Sequence, residues 1–307
     1  MSLKIVFMGS PEFAIPGLMS LHESHHEITG VVTGIDKRRG RGKTTSPTPV
    51  KQKALELGLP VIEVQDLKSA DFAGKLKELG ADLFVVVAFR VLPEQLLSIP
   101  RIGSINLHGS LLPKYRGAAP IHRAVMHGET KTGCTIFFLD KKVDTGQILG
   151  QKEILIGPNE TTGSVYERMM KTGADLLLES VNKIAEENYT LLKQKEEEAS
   201  SAPKIFADDC PIDFNQPAAQ VHNFVRGLSP FPAARTYLDE KLLKIFETRP
   251  HPEANLKPYE LHICKEEVLI GCNPGAVSLK TVQLEGKPKS SGVDFFRGYS
   301  GAGVIGS

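Results

Sequence analysis

The chain has 307 residues, of which 41% are hydrophobic and 24% charged, a composition that excludes disordered and fibrous classes and leaves room for two globular domains. Its 37 Lys and Arg stand against 36 Asp and Glu, so the molecule has no overall field to draw in a polyanion, and any nucleic-acid binding must be local. Cys134, Cys210, Cys264 and Cys272 form no CxxC pair and have no His at zinc-finger spacing, so neither a disulfide framework nor a metal is expected.

The opening MSLKIVFMGS runs from Met1 into a strand pattern without the features of a secretory signal. No apolar run approaches the roughly 20 residues that span a bilayer, and a cytoplasmic protein is expected. LKIVFMG at 3–9 reads as a buried strand, with a helix expected from Pro11. GSPEF at 9–13 lacks the GxGxxG spacing of a dinucleotide turn. ITGVVT at 28–33 is the next strand and 49–57 the next helix. ADLFVVVA at 81–88 and IGSINLH at 102–108 have the continuous apolarity of strands covered on both faces. Strands separated by helices predict a doubly wound, mostly parallel α/β sheet, with a ligand site beyond the carboxyl ends of the strands.

TGCTIFFLD at 132–140 and GQILGQKEILI at 146–156 read as a hairpin-like pair. Val165, Met169, Leu177, Val181 and Ile184 then recur at helical spacing, and this helix closes a first domain spanning 1–192. The charged stretch 193–204, KQKEEEASSAPK and its surroundings, reads as a linker. Beyond it, 205–307 offers the short strand candidates RTYL, KLLKIFE, ELHICK, EVLIGC and VSLKTVQLEG, which predict a smaller C-terminal β-barrel of the oligonucleotide-binding kind. The terminal RGYSGAGVIGS is expected to fray.

Polar residues gather after the 102–108 run. Asn106 and His108 are two apart on a strand and share a face; Asp144 comes from the later VDTG turn. Together an amide, an imidazole and a carboxylate suit acyl transfer to an amine: Asn106 and a His108 N–H would stabilise the oxyanion, and Asp144 would manage the proton the amine loses, directly, through water or through His108. Taken singly, the pair equally describes a hydrogen-bonded strand end, and Asp144 an ordinary turn residue.

The string SLLPKYRGAAPI at 110–121, preceded by NLH and followed by VDTG, resembles the active-site segment of folate-dependent formyltransferases, and its YRGAAPI is most similar to the methionyl-tRNA branch. MGSPEFAIPGL at 8–18, GRGKTTSPTPVK at 40–51, SAPKIFADDCPIDF at 201–214, RGLSPFPAA at 226–234 and QLEGKPKSSGVDFFRGY at 283–299 extend the resemblance over most of the chain. The resemblance implies a Rossmann-like formyltransferase domain, 10-formyltetrahydrofolate as donor and co-substrate, no metal, and catalysis by Asn106, His108 and Asp144. It assigns folate contacts to Ser110, Leu111, Leu112 and Pro113, and to Val87, Ala88, Phe89, Arg90, Val91 and Leu92.

Lys37, Arg38, Arg39, Arg41 and Lys43 crowd a Gly-containing loop opposed only by Asp36. Such a run is either a solvated surface loop or an arm that orders on an RNA backbone; the resemblance implies the arm, with methionyl initiator tRNA as partner and a monomeric enzyme. From residue 205 onward 11 Lys and Arg face 12 acids, so the second half is no basic domain, although Arg226, Lys241, Lys244, Lys287, Lys289 and Arg297 are candidates for a one-sided patch. The rival readings are a formyltransferase for a small amine such as glycinamide ribonucleotide or an amino sugar nucleotide, a hydrolase of the same donor, and an RNA-binding module without turnover.

Overall fold

A computed structural model describes residues 1–38 and 45–306, the side chains of Lys37 and Arg38 apart. It divides into two compact units: Met1–Gly117 with Gly133–Ile154 and Tyr166–Ser201, and Ala118–Thr132 with Leu155–Val165 and Ala202–Ser307.

The first apolar run forms β1 (Lys4–Gly9), buried from Ile5 onward. The helix expected from Pro11 starts later. A 3-10 turn occupies Glu12–Ala14, and α1 (Ile15–His22) follows with Pro16 in its first turn, where a missing N–H leaves no bond unmade. Next come β2 (Glu27–Gly34), the antiparallel pair β3 (Lys37–Arg38) and β4 (Thr45–Ser46), and α2 (Pro49–Glu56). The Thr48 side chain caps α2 by accepting the Lys51 N–H at 3.1 Å. The chain continues through β5 (Val61–Val64), α3 (Ala70–Glu78), β6 (Leu83–Val87), α4 (Glu94–Leu97), β7 (Gly103–His108), α5 (Pro120–Met126), β8 (Lys131–Phe138), β9 (Ile148–Leu155) and α6 (Thr162–Ala185).

Seven strands form one sheet in the order β5-β2-β1-β6-β7-β8-β9. Pairing is parallel from β5 to β7 and antiparallel at β7–β8. β1, β6 and β7 lie side by side at the point where strand order reverses, and their carboxyl ends open the crevice in which such sheets bind ligands. The five helix positions picked out by spacing, Val165, Met169, Leu177, Val181 and Ile184, are all buried along α6.

The second unit holds α7 (Ala218–Leu228) against an antiparallel sheet of β10 (Ala234–Leu238), β11 (Lys241–His251), β12 (Leu261–Ile263), β13 (Val268–Gly271), β14 (Ala276–Leu284) and β15 (Ser290–Ser291), followed by α8 (Gly292–Arg297). The order is β10-β11-β14-β13-β12, with β15 on β14. Val221, Val225 and Leu228 of α7 bury against Leu243, Ile245, Val277 and Leu279.

The tail does not fray as expected. Asp239, at φ +46 in the tight β10–β11 turn, accepts the N–H groups of Gly303 and Val304 at 3.0 and 2.8 Å and the Tyr299 hydroxyl. Ile305, 7% exposed, bridges to Leu238. One carboxylate satisfying three donors, plus one buried side chain, offsets the ordering cost of a glycine-rich end.

Candidate active site

The pleat of β7 sets Asn106 and His108 on one face, as the two-residue spacing requires. Asn106 is half-buried and His108 only 6% exposed. His108 Nε2 lies 2.8 Å from the Tyr115 carbonyl oxygen. A carbonyl can only accept, so Nε2 carries the hydrogen and, in the neutral ring, Nδ1 carries the lone pair. Nδ1 faces Asp144 Oδ2 at 3.8 Å, too long for a direct hydrogen bond. Asp144, at φ +56 and 9% exposed, accepts the Gly117 N–H on the same oxygen at 2.8 Å.

The loop after β7 folds back to make these contacts. Ser110 Oγ donates to the Lys114 carbonyl at 2.6 Å, and Thr135 Oγ1 donates to the Ser110 carbonyl at 2.7 Å while accepting the Leu112 N–H at 3.1 Å. Gln151 Nε2 donates to Leu112 O and Thr135 Oγ1 at 2.8 and 2.9 Å. Leu112 packs on Phe137 and Ile148. The result is a closed, bonded loop that presents Tyr115 O to His108 and Gly117 N–H to Asp144.

A pocket beside these groups is lined by Asn106, Asp144, Val86, Phe89, Arg90, Val91, Leu92 and Leu97, and by Leu139–Val143. Asn106, Asp144 and 89–92 therefore share one cavity, whereas Val87 is buried in the sheet and Ser110, Leu111, Leu112, Pro113 and Ala88 are not among its lining residues. The Leu139–Lys142 part of that wall had no signal in the sequence beyond its place just before VDTG. The Arg90 guanidinium donates to the Val64 and Gln65 carbonyls at 2.6 and 2.7 Å, which ties two of its five N–H groups to the carboxyl end of β5.

Of the cationic candidates, Lys37 and Arg38 pair through their backbones with Ser46 and Thr45; Arg39, Arg41 and Lys43 lie outside the described residues. At the foot of that strand pair, Lys51 Nζ holds both Asp36 and Glu63 at 2.9 Å. Arg226 is not available for a surface patch. It is 4% exposed and donates to the Glu160 and Gly157 carbonyls at 3.0 and 3.4 Å and to Asn223 at 2.8 Å. Among the described residues no three His, Cys, Asp or Glu side chains gather as a metal site, and no helix is long and apolar enough to cross a membrane.

Residues 3–181 match the family described as formyl transferase, and residues 204–300 match the formyl transferase C-terminal domain. A methionyl-tRNA formyltransferase of Parabacteroides distasonis is 42% identical over 310 residues, covering 97% of this chain and 96% of that protein. One of Chlorobium limicola is 42% identical over 306 residues with the same coverage. Among solved structures, a sugar 3N-formyl transferase crystallised with dTDP and 5-N-formyl-THF superposes with a TM-score of 0.68 at 18% identity, over 94% of this chain and 100% of that one.

Proposed function

This chain belongs to the formyl transferase family, and on that premise we propose that it transfers the formyl group of 10-formyltetrahydrofolate to the free amino group of methionyl initiator tRNA. The observation that carries the chemistry is the meeting of the Asn106 amide, the His108 Nδ1 lone pair and the Asp144 carboxylate within one unit, two of them in a shared pocket.

The amine lone pair forms the new C–N bond as the formyl π bond opens onto oxygen. Because the His108 Nε2–H is spent on Tyr115, the neutral ring has no N–H for that oxygen; Asn106 supplies the donor, a modification of the pairing expected from residue types alone. His108 Nδ1 takes the amine proton. The imidazolium so formed lies 3.8 Å from Asp144 Oδ2, an attraction on the order of 4 kcal/mol at an effective dielectric near 20. Collapse of the tetrahedral adduct breaks the bond to folate N10, which takes up a proton, so the net movement is one proton from amine to N10.

The apolar side chains of Phe89, Val91, Leu92 and Leu97, with the Leu139–Val143 wall, form a surface suited to the flat donor. The arm at 37–43 supplies phosphate contacts, and the 205–307 region supplies further contact with tRNA. The enzyme acts as a monomer in the cytoplasm, where initiator tRNA is charged.

The test incubates the protein with 10-formyltetrahydrofolate and, in separate reactions, methionyl initiator tRNA, glycinamide ribonucleotide or an amino sugar nucleotide, and follows donor loss. Formylation of tRNA is expected; turnover with a small amine alone would overturn the proposal. Arg41→Ala should lower the slope of log affinity against log salt by about 0.7–0.9 if the arm contacts one phosphate there, and an unchanged slope would remove the arm.

A further inference from the structure

Gln194 lies in the charged stretch that composition marks as a linker, yet it is 5% exposed. Its Nε2 donates to the carbonyls of Asp144 and Gly146 at 2.9 and 2.8 Å. Its Oε1 accepts from Arg116 Nε and Nη2 at 3.1 and 2.8 Å. These four bonds exhaust the capacity of a primary amide. They also orient it unambiguously, because a guanidinium only donates and a carbonyl only accepts.

Arg116 is in turn held by both carboxylate oxygens of Glu196 at 2.9 and 3.0 Å. Four residues on, Ser200 holds the 115–116 backbone: its hydroxyl accepts the Tyr115 N–H at 2.9 Å and its carbonyl accepts the Arg116 N–H at 2.8 Å. Residues 194–200 thus bind both the turn that carries Asp144 and the loop that offers Tyr115 O to His108 and Gly117 N–H to Asp144. That turn needs holding. Asp144 sits at φ +56, a conformation that persists when its surroundings over-determine it.

We propose that Gln194 is a positioning residue, clamped by Arg116, that sets the aim of the Asp144 carboxylate at His108 Nδ1. The proposal rests on the reading of Asp144 and His108 as the reacting pair. A segment that merely needed fastening to the surface would be served by the Arg116–Glu196 ion pair. The two amide hydrogens reaching the Asp144 and Gly146 carbonyls have no part in such fastening, and a buried donor pair aimed at the backbone of the turn that carries Asp144 is what preorganisation requires.

Gln194→Glu separates the two roles, because it keeps the side-chain shape and the acceptor for Arg116 but turns an acceptor oxygen toward two carbonyls. The expected result is a fall in kcat on the order of 10²-fold, the scale of an ångström-sized misplacement, with KM for folate and for tRNA unchanged. In an Asp144→Asn background the same substitution should bring little further loss. Full activity of Asp144→Asn alone would remove the underlying reading. An impaired Asp144→Asn together with wild-type kcat in Gln194→Glu, or with the full loss multiplied again in the double variant, would overturn the positioning role. If Gln194→Glu does not fold by thermal unfolding, Gln194→Met, which keeps the length and removes the donors, is read against the same outcomes.

Discussion

A β-carbon placed on Gly146 would lie 1.7 Å from the Phe138 carbonyl oxygen, so position 146 has no room for any side chain while the 144–146 turn keeps its shape. Gly146→Ala should therefore cost stability on the overpacking scale of about 1–3 kcal/mol and also lower kcat, since the displaced turn carries Asp144; a thermal melt and a steady-state assay on the same sample check both. Asn106→Ala makes a cleaner change. Among the described residues no hydrogen bond occupies the Asn106 side-chain amide, and it faces the pocket. Its loss should lower kcat by about 10²–10³-fold, the effect of removing one oxyanion donor, with an unaltered melting temperature. An undiminished kcat would exclude the amide from the reaction. That Asn106 and His108 share one face of β7 was legible in the sequence, because strand spacing is a local property. The His108 tautomer was not, because it depends on the backbone path that brings Tyr115 O within 2.8 Å. Gln194 was hidden for a related reason: KQKEEEASS has the composition of a solvated segment, and its burial comes from partners some 50 residues away in the chain.

At the scale of elements, periodicity located most of the long pieces and missed the short or mixed ones. β5 has only four residues, VIEV, of which just Val64 is fully buried, so it shows neither an apolar run nor a clean alternation. α7 carried a helical pattern, Ala218, Val221, Val225 and Leu228, all buried, but it stands among short strand candidates in a half that reads as β throughout. The strand pair β3–β4 had no hydrophobic signal at all, and its foot is fixed by charge. Lys51 on α2 bonds to Asp36 and Glu63 together, and the two carboxylates, Glu63 foremost, raise the Lys51 pKa above its ordinary value. This grip ties Asp36, two residues beyond β2, to α2 and to β5. Lys51→Met should accordingly raise KM for tRNA severalfold and leave KM for folate alone. Equal changes in both constants would place the effect in the sheet and count against a tRNA role for residues 37–43.

For the molecule as a whole, the strand–helix alternation and the change of pattern near residue 193 were enough to anticipate an α/β sheet and an antiparallel β region. The chain's excursions were not: Ala118–Thr132 and Leu155–Val165 join the second unit although the first surrounds them in sequence, and no local pattern marks such a crossing. Each unit also buries a histidine whose bonds are complete in the neutral form. In the first, His26 accepts the Leu3 N–H on Nδ1 at 3.2 Å and pairs through Nε2 with Asn182 Oδ1 at 3.0 Å. In the second, His222 donates from Nε2 to the Pro158 carbonyl at 3.0 Å and meets Thr248 Oγ1 at 3.0 Å through Nδ1. Burial lowers the pKa of both. The unfolded chain, with histidines near the ordinary 6.5, therefore binds protons that the native chain refuses once the pH falls below that value. Their contribution to stability is complete above about pH 6.5 and declines as the pH falls, by at most about 1.4 kcal/mol per pH unit for each histidine. The melting temperature should drop between pH 7 and pH 5.5, above the range where most carboxylates titrate. Burial lowers the His122 pKa as well, so His26→Asn with His222→Asn should reduce that dependence without abolishing it, whatever the pair does to the melting temperature at pH 7. An unreduced slope would assign the acid sensitivity to other groups.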